Sequence, residues 1–460
     1  MASVKTKSHE MDMTHGPLLG KIITFAIPVM LSGCLQLLFN AADTIVVGRF
    51  AGSTSLAAVG STGALINLVI GLFFGLSIGA NVLVARYYGA GQNKDLSETV
   101  HTAVIASVLF GVILIFLGVA VARPMLELMG TPDDVIDLSV LYMRIYFIGM
   151  PAMMLYNYAA SILRAIGDTK RPLYYLITAG IINVILNLIL VIVFHLGVAG
   201  VAIATDISQV VSATLTVICL IKDGDKPYGL RISELRINKH KLIEMTKIGL
   251  PAGIQGCVFS LSNMVVQSSI NSFGSVVMAG NTAASNIEGF VYMAMNSFYQ
   301  TSISFTSQNF GAQKYHRINK VAIYCQCCVV ATGLILGVGA YLAARPLLGI
   351  YTDDAEVISY GVLRMGYCCL PYFICGMMDT MVGMIRGLGY SVVTMLVSIG
   401  GACGLRLIWI FTVFAHFRTL PVLYIVYVIT WTVTFLCHLT CFLVIRKKFP
   451  KEDYPDPVFE

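Results

Sequence analysis

Twelve near-continuous apolar runs, each about 22 residues long, follow one another through this chain with short polar connections between them. A membrane-spanning helix needs about 20 apolar residues, so the runs read as twelve transmembrane helices. The apolar share of 57% in 460 residues is enough for them, and the charged share of 12% is roughly half that of a soluble protein. A soluble core could not hide so much apolar surface. An outer-membrane barrel is excluded because the runs are continuous and do not alternate.

The chain divides in two. FAIPVMLSGC (Phe25 to Cys34) matches IGLPAGIQGC (Ile248 to Cys257), and YYGAGQ (from Tyr87) matches NFGAQ (from Asn309). YMRIYFIGMP (from Tyr142) matches LRMGYCCLP (from Leu363), and LRAIGDT (from Leu163) matches IRGLGYS (from Ile385). The order is kept and each half holds six spans, so both halves run the same way through the membrane. Parallel repeats of this kind belong to transporters. The fold is therefore read as all-α, a polytopic membrane protein of two pseudo-symmetric six-helix lobes. The boundaries are a tail 1–18, an N-lobe 19–221, a linker 222–244, a C-lobe 245–445 and a tail 446–460. Lys and Arg crowd the tails and the linker side, whereas the other side's loops hold only Arg49, Arg123, Arg345 and Arg418. The positive-inside rule then makes both tails and the linker cytoplasmic in a cell (inner) membrane. The +6 charge is modest and calls for no nucleic acid.

Only four acids fall inside spans: Asp43, Asp206, Glu288 and Asp379. A charge there costs about 2.5–3.5 kcal/mol by insertion scales, so each is expected to be functional, paired or protonated. Asp43 shares a face of span one with Gln36 and Asn40, at i, i+4 and i+7. That stripe reads as a cation- or proton-binding carboxylate, against a plain packing role. Asn183 and Asn187 in span five offer amide oxygens suited to a hard cation, and Thr205 follows in span six. Alone, these three read first as interhelical hydrogen bonds. Asp206 points about 100° away from Thr205 and either lines a cavity or pairs elsewhere.

In the C-lobe, Asn281, Ser285, Glu288, Tyr292, Asn296 and Tyr299 form one polar stripe along span eight, expected to line a watery path. Asp379 sits among Met377, Met378, Met381 and Met384, where adaptable side chains either fill helix contacts or suit varied ligands. Arg406 is expected to pair with Glu288 or Asp379, since a lone buried cation is expensive. Arg144 and Arg364 are expected to snorkel at outer ends. Gly63, Gly71, Gly75 and Gly79 recur every four or eight residues and signal close helix approach. Pro28, Pro151, Pro251 and Pro371 permit kinks at repeat-related places.

The IPVMLSGCLQLLFNAADTIVVGRFAG opening, the VARYYGAGQ and TSQNFGAQ loops, and the LRAIGDT and IRGLGYS turns together resemble the multidrug and toxic compound extrusion (MATE) family, over about residues 16 to 446. The resemblance implies two lobes forming a V. It implies antiport of organic cations, drugs or metabolites against a proton or sodium gradient, with no cofactor beyond the coupling ion, H⁺ or Na⁺. It assigns coupling to Asp43 with Asn183, Asn187 and Thr205, which would also hold Na⁺, and places Gln36 in the cavity. The substrate cavity is expected to use Gln36, Asn40, Asp206, Glu288, Tyr292, Asp379 and Arg406. Partners are small organic cations or metabolites and the lipid bilayer, with the protein a monomer. Two positions depart from the pattern. Asn187 stands where some members have an acid, and Phe259 stands where one branch has a Glu, so that branch's span-seven cation site is not carried over. The alternative is a lipid-linked precursor flippase of the same superfamily. It is disfavoured because an anionic diphosphate needs several cavity Arg or Lys and only Arg406 lies deep in a span. No HExxH, nucleophile elbow or Walker loop speaks for an enzyme.

Overall fold

The computed structural model describes residues 9–450, 452 and 453; the rest of the tail readings, at 1–8, 451 and 454–460, lie outside the described residues. In the N-lobe, α1 (Leu18–Phe50), α2 (Ser53–Gly89) and α3 (Asn93–Leu128) are continuous spans. The fourth span is a bent pair, α4 (Asp133–Ile148) and α5 (Met150–Ala165). The fifth is α6 (Lys170–Leu188), continued by a π turn at Ile189–Val193, and the sixth is α7 (Gly197–Lys222). The C-lobe repeats this plan. It opens with α8 (Lys239–Asn271), α9 (Ser275–Gly311) and α10 (Tyr315–Leu342), followed by a short α11 (Ala344–Gly349). A second bent pair, α12 (Ala355–Cys368) and α13 (Tyr372–Gly387), precedes a fifth span built from α14 (Ser391–Ser398) and α15 (Leu405–Trp409) with π segments at Ile399–Gly404 and Ile410–Phe414. The chain closes with α16 (Leu420–Arg446).

Among the described residues nine helices are long and apolar enough to cross a membrane, and the two bent pairs bring the number to eleven. The twelfth is α9. It is longer than most of them but more polar, because from Ser297 to Asn309 nearly every residue is buried against other helices and lipid never meets them. The bends, 48° between α4 and α5 and 47° between α12 and α13, fall at Pro151 and Pro371, where a ring replaces a backbone donor and crowds the preceding turn. Pro28 and Pro251 are instead carried inside continuous helices.

The lobes meet at the end that bears the linker. A Cβ on Gly75 of α2 would stand 2.1 Å from the Gly253 nitrogen of α8, and one on Gly79 would stand 2.1 Å from the Met245 carbonyl oxygen. Two backbones can lie this close only because these α2 positions carry no side chain. Of the glycine series only these two make the contact; around Gly63 there is open space. Polar contacts close the same end: Lys241 Nζ lies 2.6 Å from Asp95 Oδ1 and donates to Tyr87 Oη at 2.8 Å, and Gln308 Nε2 donates to the Ala165 carbonyl at 2.6 Å. The chain's opening segment crosses the seam. Met11 N donates to the Ile166 carbonyl at 3.4 Å on one lobe, and the Met13 carbonyl accepts from Asn309 Nδ2 at 3.2 Å on the other.

Candidate functional site

Two polar sites lie within the helices, one in each lobe. In the N-lobe, α1, α6 and α7 bring Asp43, Asn183, Asn187 and Thr205 together. Asn187 Nδ2 donates to Asp43 Oδ1 and, at 3.2 Å, to Asn183 Oδ1. Thr205 Oγ1 donates to Asp43 Oδ2 at 3.3 Å, and Asn183 Nδ2 reaches Thr205 Oγ1 at 3.4 Å. Asp43 is 9% exposed and Asn187 0%. No Lys, Arg or His forms an ion pair with Asp43 among the described residues. The Oδ1 of Asn187 is buried without a hydrogen-bond partner. A buried unpaired acceptor is costly, and beside a carboxylate, an amide oxygen and a hydroxyl it completes an oxygen-rich set that suits a small hard cation. The same set suits a proton on Asp43. The π turn that begins just after Asn187 is of a kind frequent at functional sites.

The other N-lobe residues divide. Gln36 and Asn40 are exposed, and neither side chain bonds to Asp43. Asp206 is tied up at the α4–α5 bend, where it accepts a hydrogen bond from the Gly149 backbone. A Cβ on Gly149 would stand 2.0 Å from Asp206 Oδ1. Tyr142 and Tyr146, inside the repeated YMRIY segment, flank Asp43 and Asp206; sequence reading quoted the segment but drew no role from it.

The C-lobe holds a cavity of about 560 Å³ lined from α8, α9, α12, α13, α15 and α16. From the polar stripe, Ser285, Glu288, Tyr292, Asn296 and Tyr299 line it, and Asp379 and Arg406 do as well. Several expectations need correcting. Arg406 pairs with neither acid: its Nη1 donates to Asn263 Oδ1 at 2.7 Å and its guanidinium lies over the Tyr427 ring at 4.7 Å. Glu288 is taken by Arg364, with Nε to Oε1 at 2.9 Å and Nη2 to Oε2 at 2.7 Å. Arg364 does not snorkel. It is 7% exposed, because α9 supplies an acid opposite it and Asn281 Oδ1 accepts from its Nη1 at 2.5 Å. Arg386, from the repeated IRGLGYS turn, is a third cavity arginine. It donates to Tyr299 Oη, to Gln255 Oε1 at 2.8 Å and to Thr394 Oγ1 at 3.3 Å. Three guanidiniums therefore line a space where sequence reading placed one. The signal for Arg386 lay in the IRGLGYS turn, which sequence reading quoted for the repeat without giving the arginine a role. Of the four methionines only Met378 lines the cavity. Met381 and Met384 are buried, Met384 Sδ accepting from Thr306 Oγ1 at 3.0 Å, and Met377 packs beside them.

A two-lobe helical membrane protein with a buried carboxylate in one lobe and a polar cavity in the other has the build of a membrane transporter. The MatE family model matches residues 28–189 and again residues 251–412, and the chain belongs to that family. The probable multidrug resistance protein YoeA of Bacillus subtilis (strain 168) is 28% identical over 408 residues, covering 87% of each chain. The multidrug export protein MepA of Staphylococcus saprophyticus is 20% identical over 365 residues, 79% of this chain and 80% of that one. Among solved structures, an outward-facing multidrug resistance MATE transporter of the MOP superfamily superposes with a TM-score of 0.88 at 21% identity, covering 95% of this chain and 97% of that one. That likeness concerns the fold.

Proposed function

We propose that this chain is a cation-coupled antiporter that exports small organic compounds, drugs or metabolites from the cytoplasm, with Asp43 as its coupling residue. The observation that carries the reading is the Asp43 carboxylate itself. It is buried, held by Asn187 and Thr205, and paired with no basic side chain among the described residues. Such a group has two states that differ by a full charge. Loading a proton or a sodium ion from the outside removes that charge from the lobe and changes which helix packing is favoured. Asn183, Asn187 and Thr205 supply the neutral oxygens that hold the ion in place.

The seam supports alternating access. The lobes touch at the linker end, where the Gly75–Gly253 and Lys241–Asp95 contacts lie. With the linker end in the cytoplasm of the inner membrane, this is the state open to the outside. The protein works as a monomer without enzymatic turnover, since one chain holds both lobes and both sites. Organic cations enter this scheme through Asp379, a cavity acid that forms no ion pair among the described residues. The names of the relatives, multidrug resistance and multidrug export, support the substrate range. The test is dye export from vesicles under imposed pH or sodium gradients, varied separately. Asp43→Asn keeps the shape and removes the titration. It should abolish gradient-driven export while the protein still inserts; normal export by this variant would make Asp43 structural.

A further inference from the structure

The C-lobe cavity carries a surplus of positive charge that the transported cation does not explain. Three arginines and two carboxylates line it. Glu288 is spent on Arg364 through both oxygens. Arg386 uses all three nitrogens on neutral acceptors. Arg406 is different. It is 1% exposed, yet among the described residues only its Nη1 has a hydrogen-bond partner, Asn263. Its Nε is buried with no partner, its Nη2 makes no hydrogen bond among the described residues, and the residue lines the cavity. Nε and Nη2 form one edge of the guanidinium. It is the edge with which Arg364, in the same cavity, grips both oxygens of Glu288. The Tyr427 face offsets part of the cost of the buried charge, but the two-pronged edge matched to a carboxylate is left to whatever enters the cavity. Asp379 does not close it, since its cationic neighbour is Arg386.

We infer that the C-lobe cavity is an anion-accepting subsite. In it the Nε–Nη2 edge of Arg406 receives the carboxylate of an aromatic organic acid, whose ring packs among Phe259, Tyr372 and Trp431. This deepens the export reading, on which it rests, by naming a substrate class: compounds that carry a carboxylate, alone or beside an ammonium directed to Asp379. A space of about 560 Å³ suits a drug-sized ligand rather than a polyprenyl chain.

The experiment measures equilibrium binding of pyrenebutyrate and of its uncharged amide to the purified full chain in detergent, with no gradient. The acid should bind about tenfold or more tightly than the amide, the worth of a charge-assisted pair. Arg406→Gln should weaken the acid about tenfold and leave the amide within about twofold. Arg406→Lys, which keeps the charge without the fork, should restore part of the acid's advantage. Asp379→Asn, by removing a like charge, should tighten the acid alone. Equal binding of acid and amide by the parent, or equal loss of both in Arg406→Gln, overturns the proposal. So does displacement of the acid by farnesyl diphosphate at far lower concentration than by unlabelled aromatic acid, which would point to a lipid-linked anion. If Arg406→Gln does not fold, the parent's acid-to-amide ratio and the Asp379→Asn shift decide. Because no gradient is applied, failure here leaves the Asp43 coupling test untouched, and failure of coupling leaves this binding result standing.

Discussion

The two lobes share a plan and invert its charge. In the N-lobe a carboxylate is held by neutral amides and a hydroxyl; in the C-lobe two guanidiniums are held by neutral amides and hydroxyls. Arg144 and Arg364 stand at matching places in the repeated YMRIY and LRMGY segments. Arg144 is exposed and Arg364 is buried. The difference lies on the neighbouring helix: α9 carries Glu288, whereas α2 has no acidic residue along its whole length. The arginine that turns inward is the one whose partner helix supplies an acid. The lesson is that duplicated helices keep their packing while the pairing of their charges drifts, and a lobe's chemistry must be read from its partners.

The comparison breaks most readily at that arginine. Arg364→Gln strands Glu288 as an uncompensated buried charge and should cost about 3–5 kcal/mol, whereas Arg144→Gln should stay within about 0.5 kcal/mol. Thermal unfolding of both variants in detergent checks this, and equal losses would mean the two positions are not different in kind. Next in size, Asn187→Ala removes one donor and one oxygen from the Asp43 set. Apparent affinity for the coupling ion in vesicle export should fall about tenfold, with C-lobe ligand binding unchanged. Smaller again, Asp206→Asn weakens the acceptor at the α4–α5 bend and should cost about 1 kcal/mol of stability, as for a helix cap, with export retained. Lost export at normal stability would move Asp206 into the coupling set.

The smallest effect concerns the seam between lobes. Burial pushes the Glu10 carboxyl up, but hydrogen bonds from Lys226, Tyr88 and Tyr228 outweigh it and hold the group below its ordinary value of 4.5. A carboxylate with a lowered folded pKa contributes stability above its unfolded pKa and loses it as pH falls through the folded one. The opening segment should therefore gain hydrogen exchange at Met11, whose amide donates to the Ile166 carbonyl, as pH drops below about 4.5, and Glu10→Gln should reduce that dependence, the remainder coming from Asp12, which its own hydrogen bonds also hold low.

Much of the fold was legible because a span must satisfy its own backbone in lipid. Every span read from the sequence has a helix in the structure, including α9, whose polarity hides it from a composition test. Asp43, Asn183, Asn187 and Thr205 meet; their types and spacing alone read only as interhelical hydrogen bonds, and it was the family resemblance that joined them into one set. What sequence could not give was pairing. Glu288 had two arginines within reach of the argument, and only the packing of α9 against α12 selects Arg364 over Arg406. Arg386 sits at a helix end, where length alone cannot separate a solvated arginine from one folded back under the cavity. Gln36 and Asn40 share the Asp43 face in projection, but a helix face is wider than a ligand set.

The bare-backbone contact between α2 and α8 has a consequence for the gene. Glycine codons have no single-base missense neighbour that lacks a β-carbon, so every missense change at Gly75, Gly79 or Gly253 puts an atom where another backbone already lies. These positions should behave as near-lethal in a saturation library of the transporter's function, tolerating silent changes alone. The half-buried Gly63, with the same codon options and open space around its Cβ position, should accept alanine and serine freely. A map of permitted codons along α2 would then trace the seam between the lobes from genetics, without any structure at all.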